Sequence, residues 1–185
     1  MKYHYTKKNK QLGFSLIEVL ISMLILGIGL LGLSALQFTA LQHNTAAYNR
    51  SLATTLATDI ADRMRANKTA TIGGSYLTTI ADGPSGAATC INNACAPAAL
   101  AAFDLDEWKC QLGRDFNNAA CIALGYQGRL PEGVGQITTD GPTFTITIMW
   151  DDERNGVAVN AGNCGADPDI NATCFTLTLA APSLT

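Results

Sequence analysis

The sequence predicts an α+β protein in which a long N-terminal helix packs on a C-terminal antiparallel β-sheet that carries disulfides. Three observations lead to this prediction: an apolar run from Phe14 to Leu36, helical periodicity that continues to about residue 66, and alternating strand patterns near the C-terminus. The chain of 185 residues leaves room for one globular domain beyond the helix, enough to bury a modest core.

The first half of the helix is long and apolar enough to cross a membrane, since about 20 apolar residues suffice. Its only charged side chain between Phe14 and Leu36 is Glu18. The residues before it include no acid and four lysines: Lys2, Lys7, Lys8 and Lys10. This basic leader favours a cytoplasmic N-terminus. An acid inside a spanning segment is costly and is by default a functional residue, so Glu18 needs a cation.

The junction between leader and helix supplies such a cation. Cleavage after Gly13 would remove the leader, retain the helix and create an α-amino group on Phe14, one helical turn from Glu18. The segment from Gly13 to Val19 resembles the class III signal of type IV pilins and type II secretion pseudopilins. The resemblance implies that a prepilin peptidase cleaves after Gly13 and N-methylates Phe14. It also implies that Glu18 pairs with the Phe14 amine of a neighbouring subunit and sets the axial register during assembly.

Four segments follow from this organisation: a cleaved leader at residues 1–13, a transmembrane and filament-core half-helix at 14–36, an amphipathic half-helix at 37–67, and a periplasmic globular domain at 68–185. Loss of the four leader lysines takes the formal net charge from −3 to −7. Nucleic acid is therefore not expected as a partner, because binding to it depends on a basic surface.

The amphipathic half-helix shows one apolar stripe and one polar face. Asp59 and Arg63, four residues apart, are predicted to pair on the polar face. The stripe is predicted to be buried, with three alanines beside larger side chains: Leu41, Tyr48, Leu52, Ala53, Leu56, Ala57, Ile60, Ala61 and Met64.

Beyond residue 67 the pattern predicts loops, one more helix and several strands. Pro97 begins a helix to about Leu112, with Leu105, Trp108 and Leu112 on one face. A short strand is predicted at Tyr76–Ile80. The clearest strands are Gln136–Thr139, Thr143–Trp150 and Cys174–Leu179, with Asp140-Gly141-Pro142 joining the first two and Asn155-Gly156 turning toward Val157–Val159. In Thr143–Trp150 the apolar side chains alternate with threonines, which predicts a half-buried strand.

All six cysteines follow the membrane segment: Cys90, Cys95, Cys110, Cys121, Cys164 and Cys174. An even number on the exported side indicates disulfides. Sequence does not choose among the possible connectivities, although we favour pairing of neighbours, Cys90–Cys95, Cys110–Cys121 and Cys164–Cys174. Their spacings match no zinc site, and no metal is predicted there.

No catalytic motif is present, and the protein is predicted not to be an enzyme and to need no cofactor. His43, the only histidine outside the leader, has no acid near it in sequence. Two acidic clusters are candidate calcium sites: Asp151, Asp152, Glu153 and Asn155, and Asp167, Asp169 and Asn171. The first resembles an EF-hand loop, but Gly162 stands where the bidentate acid is required, so neither is assigned a metal.

A second resemblance concerns the C-terminal half. Leu130-Pro131-Glu132-Gly133-Val134-Gly135, followed by a strand ending in Met149-Trp150-Asp151-Asp152, resembles the pattern of PilV-type minor pilins. This implies an inner-membrane subunit, incorporated near the pilus tip, whose partners are other minor pilins, the major pilin, the prepilin peptidase, the assembly platform and a large tip protein. A type II secretion pseudopilin and a tip adhesin remain alternatives. The cysteine-rich stretch from Gly113 to Gly128 looks like an elaboration of the family pattern.

Overall fold

The long N-terminal helix, α1, extends from Leu16 to Ala66 without interruption. The computed structural model describes residues 13–87, 89–92, 94–152 and 172–182. Within these residues the other elements are α2 (Lys68–Ile72), α3 (Pro97–Leu112), α4 (Ala119–Leu124), β1 (Val134–Asp140), β2 (Thr143–Asp151) and β3 (Ala172–Ala180). The chain divides into two units, residues 1–45 and 46–185, and each is described by itself.

The described part of the first unit is the apolar beginning of α1. An 18-residue window of this helix has a mean hydropathy of 2.5, and none of it is buried. The hydroxyls of Ser22, Ser34 and Thr39 donate to carbonyls four residues earlier, so their polar atoms are satisfied within the helix. The helix therefore has the length and composition needed to cross a membrane.

In the second unit, three antiparallel strands form a sheet in the order β1-β2-β3. Ile137 pairs with Ile146, and Ile146 pairs with Leu177. A two-residue turn, Gly141-Pro142, joins β1 to β2, and Gly141 adopts a φ of 68° there. A glycine suits this turn because side chains disfavour positive φ. The three predicted strands and their turn are confirmed.

The second part of α1 packs on this sheet and on α3. Trp108 and Trp150 are completely buried, and Trp108 Nε1 donates to the carbonyl of Leu56 over 3.0 Å. The buried residues of α1 are Asn49, Ala53, Leu56, Ala57, Ile60, Ala61 and Met64. This confirms most of the predicted stripe and the assignment of Trp108 to the core.

The beginning of the predicted stripe is wrong. Leu41 is 65% exposed and Tyr48 is 63% exposed. Leu41 lies in the first unit, where no described residue is buried. The buried face begins instead at Asn49, about 100° around the helix from Tyr48, and the amide Nδ2 of Asn49 donates to Asp152 Oδ1 over 2.8 Å.

The predicted strand Tyr76–Ile80 is also wrong, because only Thr78 forms a bridge, to Ile137. The next two carbonyls are occupied by side chains. Lys109 Nζ donates to Thr79 O over 2.8 Å, and Arg114 Nη2 donates to Ile80 O over 2.6 Å. These bonds use acceptors that a longer ladder would need.

Strand β2 is half-buried only at its beginning. Thr143 is exposed and Thr145 partly exposed, as predicted, whereas Thr147 and Met149 are buried. Met149 packs with Val134 in a second, smaller apolar cluster on that face, against which Ile80, Ala172 and Cys174 also pack. The prediction of a polar outer face is therefore wrong for the second half of β2.

Two of the predicted disulfides are present, Cys90–Cys95 and Cys110–Cys121. Cys110 and Cys121 are both fully buried and join α3 to α4. Cys164 of the third pair lies outside the described residues. So do Asn155-Gly156, Val157–Val159, Glu153, Gly162, Asp167, Asp169 and Asn171, on which the predicted turn and calcium sites depended.

Candidate processing and assembly site

The peptide bond between Gly13 and Phe14 lies just before α1, whose first residue is Leu16. Gly13 is exposed, and no heavy atom beyond its chain neighbours lies within 4 Å of the place where a Cβ would stand. The Phe14 side chain is 85% exposed. The bond that the sequence marks for cleavage is thus open to an enzyme.

Glu18 lies in the first turn of α1, where a negative charge is favoured by the helix dipole. Its backbone N–H donates to Ser15 O over 3.0 Å, and its carbonyl accepts from Ser22 Oγ over 2.7 Å. Phe14, Glu18 and Ser22 border one shallow depression of the helix surface. The carboxylate forms no ion pair with any described residue, so it is available to a cation from outside this unit.

In the second unit, Arg63 joins α1 to α3 through three carboxylates. Its Nε contacts Asp59 Oδ2 at 3.1 Å, and its Nη1 contacts Asp104 Oδ1 at 3.0 Å and Glu107 Oε2 at 2.5 Å. Burial lowers the pKa of Arg63, but the hydrogen bond to Glu107 and the charge of Asp59 outweigh it and raise the pKa above its ordinary value. The predicted Asp59–Arg63 pair is confirmed.

Two tyrosines complete what we call the Arg63 cluster, which comprises Asp59, Arg63, Tyr76, Asp104, Glu107 and Tyr126. Tyr76 donates its hydroxyl to Asp104 Oδ2 over 2.5 Å, and Tyr126 donates to Glu107 Oε1 over 2.6 Å. Burial and the bond to Asp104 raise the pKa of Tyr76. The bond to Glu107 raises the pKa of Tyr126. Each carboxylate oxygen of Asp104 and of Glu107 therefore accepts a hydrogen bond.

Two further charged residues of α3 hold the segment at residues 79–87. Asp106 accepts from the backbone N–H of Ser85 over 2.6 Å and of Ala87 over 2.7 Å. Lys109 Nζ donates to the carbonyls of Thr79 and Asp82. Burial lowers the pKa of Lys109 to about 8. The pKa of Asp82 is lowered chiefly by hydrogen bonds from the backbone and hydroxyl of Thr79.

Four charged residues of α3 were not predicted as functional or structural residues from the sequence, although all four are buried: Asp104, Asp106, Glu107 and Lys109. The sequence does show that these charges are unusually close together, because four of them fall within six residues of a helix that is otherwise rich in alanine and leucine. That density does not identify their partners, which lie up to 44 residues away along the chain.

The predicted site residues fall into two groups. Gly13, Phe14 and Glu18 belong to the first unit, and the described cysteines belong to the second. His43 is exposed on α1. Within the described ranges, no group of three or more His, Cys, Asp or Glu residues could hold a metal ion.

Comparison with known families covers both parts of α1. Residues 8–34 match the family model of the prokaryotic N-terminal methylation motif, and residues 35–106 match that of type IV pilin Tt1218. No curated protein and no solved structure matches the chain. The protein has a type IV pilin fold: a long apolar N-terminal helix and a three-stranded antiparallel sheet, with two disulfides in the region between them. The chain thus belongs to the type IV pilin-like proteins.

Proposed function

We propose that this protein is a PilV-type minor pilin that takes part in priming or capping a type IV pilus. The proposal rests on one observation: an exposed apolar helix carries an acid, Glu18, four residues after Phe14, and this acid has no ion pair with any described residue. An apolar helix of this kind is stable in a bilayer and can later be buried against similar helices. Membrane extraction then becomes filament assembly.

In this proposal a prepilin peptidase removes residues 1–13 by cleavage after Gly13 and methylates the new amine of Phe14. The match of residues 8–34 to the N-terminal methylation motif includes both residues and supports this step. Residues 14–36 form the transmembrane and filament-core half-helix, 37–67 the amphipathic half-helix, and 68–185 the globular domain. The mature protein acts by interaction and has no catalytic role.

Glu18 sets the axial register of the subunit. Its carboxylate meets the Phe14 amine of a neighbouring subunit in an apolar helical bundle. This amine is the cation that Glu18 does not find among the described residues of its own chain. Removal of one partner from a buried ion pair typically costs about 3–5 kcal/mol, because the other charge is left uncompensated. Assembly should therefore depend on Glu18 far more than membrane insertion does.

The globular domain lies in the periplasm and supplies the specific contacts. Its disulfides suit an oxidising compartment, and the basic leader favours the orientation with the N-terminus inside. We propose as partners the other minor pilins, the major pilin, the assembly platform and a large tip protein. The net negative charge of the mature chain disfavours nucleic acid as a partner.

The test is the ratio of this protein in sheared pili to that in membranes for Glu18→Leu. We expect this variant to be cleaved and membrane-resident, yet depleted from pili at least tenfold, with pilus number reduced toward that of a deletion strain. Ser22→Leu, one turn further on the same face, is the matched control and should keep the wild-type ratio. An unchanged ratio for Glu18→Leu, with normal pilus numbers, would contradict the proposed role.

A further inference from the structure

A cavity of about 590 Å³ lies in the second unit, between the segment that follows α3 and the segment that precedes β1. Most of its wall comes from residues within Gly113–Gly128, the stretch that looks in sequence like an elaboration of the family pattern. Its volume lies within the range of about 300–1,000 Å³ that is usual for small-molecule sites. The proposed role of Glu18 in assembly does not involve this part of the chain.

Close backbone contacts shape the floor of the cavity. A Cβ on Gly128 would stand 2.5 Å from Gly113 Cα, and a Cβ on Gly113 would stand 2.1 Å from Leu130 O. Only glycines allow this approach. The backbone N–H of Arg129 donates to Gln111 O over 2.9 Å, so the wall is attached to the end of α3. The cavity is therefore formed before any ligand arrives.

The side chains that border the cavity are of two kinds. Phe116, Ile122, Leu130 and Pro131 are apolar, and the polar ones include a single charged group, Glu132. Asn117 and Gln127 provide amides and Glu132 provides a carboxylate, and all three are exposed. None of them forms a side-chain hydrogen bond to another residue within the described part of the chain. Phe116, which is 44% exposed, presents an aromatic ring beside them.

This combination excludes several ligand classes. An anionic ligand would meet Glu132 and no lysine or arginine in the lining. A purely apolar ligand would desolvate two amides and a carboxylate without replacing their bonds to water, which is unfavourable. A simple cation would use Glu132 and Phe116 but would leave the amide donors of Asn117 and Gln127 unmatched.

A sugar ring satisfies all of these groups. Its hydroxyls both donate and accept, as do the amides of Asn117 and Gln127, and its C–H face is attracted to the negative face of an aromatic ring such as Phe116. We propose that this cavity binds a neutral pyranose, with Phe116 beneath the ring and Asn117, Gln127 and Glu132 on its hydroxyls. The site would let a pilus-borne domain recognise a carbohydrate surface.

The test uses the full-length protein in lipid nanodiscs, because maltoside and glucoside detergents carry a pyranose that would compete. The probes are the methyl glycosides of glucose, galactose, mannose and N-acetylglucosamine, studied by saturation-transfer NMR and titration. We expect saturable binding of at least one probe. Phe116→Ala should weaken that binding about tenfold. Phe38→Ala, which removes an exposed aromatic ring that does not line this cavity, should change it less than about twofold.

Gln127→Ala provides a second variant at an exposed position, and this variant should also weaken glycoside binding. An unfolding midpoint equal to that of the wild type would show that its fold is intact. The proposal is overturned if none of the four glycosides binds, or if Phe116→Ala and Phe38→Ala lose binding equally. Binding of inorganic phosphate or tetramethylammonium in place of the glycosides would overturn it as well. None of these outcomes bears on the Glu18 experiment, so the two proposals fail independently.

Discussion

Arg63 of α1 and Glu107 of α3 are joined by a 2.5 Å contact between Nη1 and Oε2, across 44 residues of chain. Glu107 is almost completely buried, and it also accepts from the hydroxyl of Tyr126. The contact therefore links the second part of α1 to the centre of the globular unit. The buried carboxylate of Glu107 would lose its compensating cation if Arg63 were replaced.

We accordingly predict that Arg63→Met lowers the free energy of unfolding by about 3–5 kcal/mol, because Asp104 and Glu107 would remain buried without their cation. Arg65→Met is the matched control. Arg65 pairs with Asp62 on the exposed surface, so its loss should cost at most about 1 kcal/mol. Urea unfolding followed by fluorescence of the buried Trp108 and Trp150 measures both. Equal losses in the two variants would contradict the importance of the Arg63 cluster.

The lowered pKa of Lys109 predicts a pH dependence of stability. Burial lowers the pKa of Lys109 in the folded chain to about 8, from its ordinary value of 10.5. Above pH 8 the unfolded chain thus binds more protons than the folded chain, and stability rises with pH. We expect the free energy of unfolding to increase by on the order of 1 kcal/mol per pH unit between about pH 8 and 10.

Urea titrations at pH 8, 9 and 10 test this dependence. Lys109→Met should be less stable overall, since it loses the bonds to Thr79 and Asp82, but its stability should be flat across the window. The series ends at pH 10 because Tyr76 and Tyr126 act in the opposite direction above it, owing to their raised pKa values. The same slope in wild type and variant would show that Lys109 is not responsible.

The proposed cleavage after Gly13 gives a prediction about the mature N-terminus. Mass spectrometry should find that the mature chain begins with N-methyl-Phe14, and Gly13→Val should remain as the uncleaved precursor in the membrane. Gly27→Ala provides the control, since a Cβ at Gly27 meets nothing within 4 Å, and it should be cleaved as in wild type. Efficient cleavage of Gly13→Val would contradict the assignment of the leader.

The elements that the sequence predicted correctly share one property: each is long enough to show the spacing of apolar residues that is typical of a helix or a strand. Helix α1 extends over many turns without proline, α3 begins at Pro97, and the three strands alternate. The pilin signal was likewise evident because Gly13, Phe14 and Glu18 are close together in sequence. The structure adds their exposure and their position before and within the first turn of the helix.

What could not be predicted depends on short elements or on distant partners. Helices α2 and α4 have five and six residues, too few to show a helical period. The buried acids of α3 look like a solvated face until Arg63 and the two tyrosines are placed against them. The cavity near Phe116 is assembled from several loop segments, and its floor depends on contacts between glycines that no pattern reveals.

The segment at residues 79–87 belongs to no helix or strand, and its Gly-Pro-Ser-Gly sequence is of the kind that proteases usually cut. Asp106 nevertheless holds the backbone amides of Ser85 and Ala87. Exchange of these two amide hydrogens with solvent therefore requires their bonds to Asp106 to break, so we expect both to exchange more slowly than unbonded loop amides. The two bonds tie an irregular segment to a buried carboxylate of α3, and a protease would have to break them before it could draw Ser85 and Ala87 into its active site.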